Sequence, residues 1–337
     1  MNCIRQELPG VLRYGALHYA HRTLKSMDVV QDQVNIDLLD SNLALQDLKD
    51  NTVLLDFRCE GQCDKIIKNL ILYLRSIPVK DVVAVFNTDV DPAALDYAAV
   101  TVVDHLCNYD SWFTELQQNP MIWETDCNFL CLMGSVRKSR ALLARQLLER
   151  FQSMRISFGS LGAPEECRPY QPLLPNHQLP LLLDGTIKRG HTGLESSVIN
   201  PMFRKCAVNI IAESSAQHDQ DVWNSVFVTE KTFKAFGMLQ IPIWWAVPGV
   251  VACVRKMGFD LFDDIVDHSY DQEHNQAARL GLVLNQISRL QDLNPAQLRI
   301  QLKPRLAENH QRLHSMVQRQ SGQFRRILKD LNLDITT

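Results

Sequence analysis

No stretch of this sequence stays apolar long enough to cross a bilayer. The longest candidate, IPIWWAVPGVVACV, is too short and is broken by Pro242, Pro248 and Gly249. The opening residues, MNCIRQELPG, lack the charged-then-apolar form of a secretory leader. A cytoplasmic protein without a membrane span is therefore expected. Charge of one sign is missing too. The formal net charge is −3, which removes any global electrostatic case for nucleic acid or an anionic membrane and leaves only local basic clusters. The nine cysteines are odd in number and irregular in spacing, which argues against a disulfide framework. Cys59/Cys63 in CEGQC and Cys127/Cys131 in CNFLC each lie four apart, but neither pair has a His or Cys partner at zinc-site spacing. Free thiols, with no metal site, are the expectation. No internal repeat and no low-complexity tract interrupts the chain.

What is present is ordinary globular composition: 46% hydrophobic and 22% charged residues. The 337 residues imply about two domains at roughly 100–200 residues each. Short apolar strands alternate with amphipathic helices. TVLLDF (52–57), DVVAVF (81–86), DYAAVTVVD (96–104) and NFLCLMG (128–134) read as strands, and 64–77 and 140–151 as helices, the latter with Leu143, Leu147 and Phe151 on one face. This alternation predicts an α/β fold with a parallel sheet. Residues 161–200 break the rhythm. GAPEECRPYQPLLPNHQLP holds five of the fourteen prolines, so it cannot be regular helix or central strand and is read as a linker or long loop. The alternation then resumes with AVNIIAE (207–213), VFV (226–228) and IPIWW (241–245) as strands and 248–258 as a helix with Pro248 at its start and Gly258 at its end. The last 60 or so residues are helical, polar and basic. The predicted divisions are 1–160, an N-terminal lobe; 161–200, the Pro-rich connection; 201–305, a C-terminal lobe; and 306–337, a helix packing back on the body.

Two corners carry chemistry. In VFVTEKTFKAFGML, Thr229 is a candidate N-cap, Glu230 suits the positive end of the helix that follows, and Lys231 does not. A cation there, beside free backbone N–H groups, would be reconciled by a bound phosphate, while Glu230 could accept the two hydroxyls of a ribose diol. Taken alone, the pair is more often a solvated surface pair worth little. The second corner, SVRKSRALLARQLL, crowds Arg137, Lys138 and Arg140 at another helix start, with Ser135 or Ser139 as N-cap. Two such corners, one in each lobe, point to a single anion held between lobes. Glu213, ending AVNIIAE, would join that cleft or else cap the turn at Ser214-Ser215.

At these residues the chain resembles a known family. NIIAESS followed by VFVTEKTFKAFGMLQIPIWWAVPG is similar to the donor-binding half of the α-1,3-fucosyltransferase-like glycosyltransferases, over roughly residues 205 to 271. FLCLMGSVRKSRALLARQLLERF resembles the helix that carries that family's phosphate-binding Arg, and GFDLFDDIVDHSYD resembles the tail of related viral and bacterial glycosyltransferase-like proteins. The N-terminal third is similar only loosely, and Ala246 stands where the family has Gly.

The resemblance implies a GT-B architecture, two Rossmann-like lobes with a cleft between them and a helical C-terminal tail. It implies an inverting, metal-independent glycosyltransferase using a nucleotide diphosphate sugar, with a GDP-sugar favoured and a UDP-sugar possible. Carried over, Glu230 would hold the donor ribose, Lys231 and Arg140 the diphosphate, and Glu213 would lie near donor sugar or ribose. Arg137 and Lys138 are further cations without an assigned role. The general base would be Asp89, with Asp91 and Glu60 as alternatives; each is also ordinary turn chemistry. A glycan is the favoured acceptor. Modified DNA is the other, kept open by the basic clusters at 137–140 and at Lys188, Arg189 and His191. A non-catalytic nucleotide-sugar-binding module is the third reading. Trp244 and Trp245 are expected to pack in the sheet, and His268 to make local hydrogen bonds.

Overall fold

A computed structural model describes the backbone at 7–8, 11–15, 52–56, 81–86 and 100–104, and residues 125–159, 164–181, 201–213, 216, 226 and 228–330. The chain falls into two compact units: Met1–Asp110 with Asp219–Phe227 and Met316–Thr337, and Ser111–His218 with Val228–Ser315.

The first unit holds a five-stranded sheet. Its strands, β1 (Glu7–Leu8), β2 (Val11–Gly15), β3 (Thr52–Asp56), β4 (Asp81–Phe86) and β5 (Val100–Asp104), lie side by side in chain order. β1 and β2 pair antiparallel, and β2 to β5 run parallel, with Thr52 opposite Asp81 and Val82 opposite Val100. The β-branched runs read as strands from sequence are strands. The predicted helix at 64–77 lies outside the described residues.

The second unit is built on β6 (Cys127–Met133), α1 (Lys138–Arg150), β7 (Met154–Phe158), a helical turn α2 (Pro164–Cys167), α3 (Pro201–Lys205), β8 (Cys206–Ala212), α4 (Glu230–Gly237), β9 (Ile241–Trp245), α5 (Val250–Lys256), α6 (Gln276–Leu290) and, as far as Ser315, α7 (Pro295–Asp330). Its four strands are all parallel and stand in the order β7-β6-β8-β9. Every residue of β8 and β9 is buried, which is what a parallel sheet covered on both faces demands and why these strands read as unbroken apolar runs. α1 buries Leu143, Ala144 and Leu147, and Phe151, just past its end, sets its ring 6.4 Å from Phe129. The one polar residue in the middle of β8, Asn209, is satisfied by Gln240, whose amide in turn donates to the carbonyls of Phe203 and Cys206.

α7 packs on this unit through Leu302, Leu306 and Leu313, all buried. Arg305 forks onto Asp260 and Asp264, and His310 Nδ1 lies 2.9 Å from the last carbonyl of α4, Gly237.

The protein is thus mixed α/β, with an all-parallel four-stranded sheet and a mixed five-stranded one, and three expectations need correction. A boundary at residue 160 would cut through the four-stranded sheet, because β6 and β7 pair in it beside β8. Composition marks the Pro-rich stretch but cannot show that the chain returns to the same sheet after it. Val226 and Val228 are not in a strand, since β-branched residues without a ladder partner do not make one. The helix predicted from Pro248 starts at Val250, because Gly249 takes φ 93° to turn the chain after β9; Gly258, at φ 86°, follows its end as expected.

Candidate functional site

The order β7-β6-β8-β9 means that the chain leaves β6 on one side through α1 to β7, and later returns to its other side as β8. Neighbouring strands whose connections depart in opposite directions open a crevice at their carboxyl ends, the usual ligand position in such sheets. The β6–β8 ladder starts at Cys127↔Cys206 and is last paired at Leu130↔Asn209 among the described residues. The carboxyl ends of these two strands lead to Ser135–Arg140 and to Glu213. Both sequence corners therefore belong to one sheet in one unit, and not to two lobes.

Arg140 stands at the centre of this end of the sheet. Only 1% of it is exposed. One guanidinium nitrogen donates to the carbonyls of Ala212 and Glu213, each at 3.0 Å. The other donates to the carbonyl and hydroxyl of Ser135. The side chain thus ties the start of α1 to the last turn of β8, satisfying strand-end carbonyls that have no ladder partner. Burial, together with the neighbouring Arg137 charge, lowers the guanidinium to about 10, against the opposing pull of Glu213 and Glu230; it is still a cation at neutral pH. Its Nε is buried without a partner. Arg137 and Lys138, in contrast, are exposed. The N-cap of α1 is Arg137 and makes no side-chain capping bond, so neither Ser135 nor Ser139 has the cap role expected of it. Ser135 instead accepts from Arg140.

Glu213 is equally buried, at 1%. Oε1 accepts from the Thr229 amide at 3.1 Å and the Thr232 hydroxyl at 2.9 Å, and Oε2 from the Thr229 hydroxyl at 2.5 Å. It is an internal anion at the start of α4, where the helix end is positive. Thr229 is the N-cap predicted for it, accepting from the Lys231 amide. The Lys231 ammonium donates to the same Thr229 oxygen at 3.0 Å, pairs with Glu230 at 3.1 Å and lies 3.9 Å from Glu213. Lys231 remains 22% exposed and Glu230 38% at the side chain. The surrounding protein disfavours the charge on Glu230, yet Lys231 and Lys234 outweigh it and draw the carboxyl down to about 2. Burial lowers Lys234.

Comparison with protein-family models, with curated proteins and with solved structures found no match to this chain.

Behind the corner runs a chain of hydrogen bonds that sequence reading missed. The Trp244 indole donates to the Thr232 hydroxyl at 2.9 Å. The Trp244 amide donates to the Tyr270 hydroxyl, which lies 2.8 Å from His268 Nδ1, and His268 Nε2 faces the Leu261 carbonyl at 2.9 Å. The carbonyl can only accept, so Nε2 carries the proton and Tyr270 donates to Nδ1. Burial lowers the His268 pKa and raises that of Tyr270, which keeps both neutral. Trp244 and Trp245 are each 1% exposed and pack in the sheet as expected; the Trp245 indole reaches the Ser139 carbonyl at 3.2 Å. Nearby, Asp271 accepts from the amides of Gly249, Val251 and Ala252, all at 3.0 Å, and fills the start of α5. His268 makes the local hydrogen bonds expected of it; its link through Tyr270 and Trp244 to Thr232 is what the sequence did not show.

The arrangement offers two partly exposed ammonium groups, Lys231 and Lys234, one partly exposed carboxylate, Glu230, and two exposed cations, Arg137 and Lys138. Arg140 and Glu213 face inward and serve the fold. Asp89, Asp91 and Glu60, and the basic residues Lys188, Arg189 and His191, lie outside the described residues. Among the described residues no group of three or more His, Cys, Asp or Glu side chains could hold a metal ion, and no helix is long and apolar enough to cross a membrane.

Proposed function

We propose that the chain is an inverting glycosyltransferase of GT-B type that takes a nucleotide diphosphate sugar, with a GDP-sugar favoured over a UDP-sugar, and moves the sugar to a glycan hydroxyl. One observation carries this reading: the Lys231 ammonium, held by Thr229 and Glu230, stays partly exposed at the carboxyl edge of the sheet where the strand order reverses. Glu230, ionised well below neutral pH, supplies acceptors for a ribose diol. Lys231, with Arg137 and Lys138, would offset the charge that a leaving diphosphate gains as the glycosidic bond breaks, and preplaced charge of this kind is usually the largest catalytic term. Arg140 would act from behind, keeping β8 and α1 in position. The base is assigned to Asp89, ahead of Asp91 and Glu60.

A second reading, a nucleotide-sugar-binding module without chemistry, is favoured by the engagement of Arg140 with backbone carbonyls, which removes one cation from the reaction. Modified DNA as acceptor rests on the basic clusters alone, and a steep salt dependence of acceptor binding would favour it. Calorimetric titration of GDP, UDP, ADP, CMP and dTDP, with and without magnesium, tests the main reading. Binding of one nucleoside diphosphate that is metal-independent and lost in Lys231→Ala supports it. Binding by none, or binding untouched by Lys231→Ala, refutes the corner as a phosphate site. Binding with no transfer to any glycan acceptor leaves the module reading.

A further inference from the structure

At the opposite end of the same two strands lies a feature the glycosyl-transfer reading does not use. Cys127 opens β6 and Cys206 opens β8, and the two are register partners. Register partners on neighbouring parallel strands put their side chains on the same face. Strands lie about 4.8 Å apart, inside the ~4.4–6.8 Å range of Cα separations that a disulfide spans. Both cysteines are free thiols in this structure and both are buried, so exchange needs a local opening at the strand ends. The Cys127 thiol donates to the Phe129 carbonyl at 3.6 Å, and the Ser153 hydroxyl donates to the Cys127 sulfur at 3.9 Å. The Arg155 guanidinium also acts on both sulfurs. The pair is asymmetric. Cys127 is 6% exposed and Cys206 0%, so Cys127 is the sulfur nearer to solvent. The neighbouring Cys206 thiol lowers the Cys127 pKa against burial, and Cys127 with burial raises that of Cys206. An outer sulfur beside an inner one that can resolve a mixed disulfide is the arrangement that thiol–disulfide exchange uses.

We propose that Cys127 and Cys206 form a redox-active dithiol, with Cys127 attacking and Cys206 resolving, that closes to a cross-strand disulfide by exchange with a small-molecule disulfide of the glutathione class. The Cys127 thiolate attacks one sulfur of oxidised glutathione. That S–S bond breaks, a Cys127–glutathione mixed disulfide forms, and one glutathione thiolate leaves and takes a proton from solvent. The Cys206 sulfur, losing its proton to solvent, then attacks the Cys127 sulfur and expels the second glutathione. Two electrons pass from the two cysteines to the glutathione disulfide. The product ties the amino ends of β6 and β8, the strands that flank the reversal of strand order, at the end remote from the Glu230–Lys231 corner.

The test is peptide mapping by mass spectrometry of the full chain under non-reducing conditions, after incubation with oxidised glutathione. A linked peptide pair containing Cys127 and Cys206, lighter by two hydrogens and released by dithiothreitol, is the expected result. Cys206→Ser should stop at the mixed disulfide on Cys127, and Cys127→Ser should give neither product. The wild-type map needs no variant, so it stands even if a serine variant fails to fold. Two free thiols at these positions after incubation, or a stable glutathione adduct on Cys127 in the wild type without the cross-link, would overturn the proposal. An adduct on Cys206 in Cys127→Ser would overturn the assignment of the attacking sulfur.

Discussion

Two helices of the four-stranded unit begin among cations, and they handle that charge in different ways. At α4 the fold brings in its own anion: Glu213 accepts from Thr229 and Thr232, and Lys231 is fixed against Thr229 and Glu230. At α1 no carboxylate lies in the first turn and no side chain caps it. One of its three cations, Arg140, turns inward to hold the carbonyls of Ala212 and Glu213, while Arg137 and Lys138 stay exposed. The same residue types thus give a closed corner and an open one. A charge at a helix start is open to a ligand only as far as its side chain reaches solvent, as Lys231 does at 22% exposure and Arg140 at 1% does not.

That contrast can be broken from several sides. The largest effect should come from Arg140→Met, which leaves the carbonyls of buried Ala212 and Glu213 without their donor; a loss of about 3 kcal/mol is expected by urea unfolding. A loss below about 0.5 kcal/mol, the usual size for an exposed site, would mean that Arg140 is not the strut described. Glu213→Ala should come next, at about 2 kcal/mol, since it leaves the Thr229 amide and two hydroxyls without an acceptor. Asp271→Ala, at the parallel internal anion of α5, should match it within a factor of about two. A much smaller cost there would show that the two carboxylate-capped helices are not equivalent.

Glu230 sharpens the comparison by pH. Its folded pKa is lowered to about 2, so its stabilising contribution is present above the unfolded carboxyl range and is lost as pH falls through the window from about 4.3, the unperturbed value, towards 2. The melting temperature of wild type should therefore exceed that of Glu230→Gln at pH 6, and the gap should close between pH 4 and 2. A gap that is constant with pH would remove the charge from the explanation. The smallest effect belongs to the open corner: Arg137→Ala with Lys138→Ala should change stability by less than about 0.5 kcal/mol. If the proposed function holds, the same double variant should weaken nucleoside diphosphate binding and flatten its salt dependence. Stability and binding would then separate at α1 and coincide at α4.

Much of the fold was legible because burial and periodicity are local signals. IPIWW and DVVAVF are strands at the boundaries read from sequence, and Thr229 is the cap that its position before a charged helix start predicted. β7 was missed: MRISF alternates polar and apolar residues and follows a helix without a turn signal, and it is a strand because β6 offers it a free edge. The roles of Arg140 and Glu213 were not legible either. Both were read as groups facing a ligand, and both are 1% exposed. Nothing in RKSR says that Arg140 points back over β8 while Arg137 and Lys138 point to water, because that depends on where β8 lies.

The sequence by itself determined the α/β alternation, the apolar strands buried on both faces, the capped start of α4 and the absence of a long apolar span, since each follows from spacing within about a dozen residues. Only the tertiary structure decided that residues 127–158 share a sheet with 206–245, that the strand order reverses between β6 and β8, and that Cys127 meets Cys206. Those facts join residues some 80 apart in the chain. Their energies come from ladder pairing and from satisfying buried charge, which exist only once the strands are side by side.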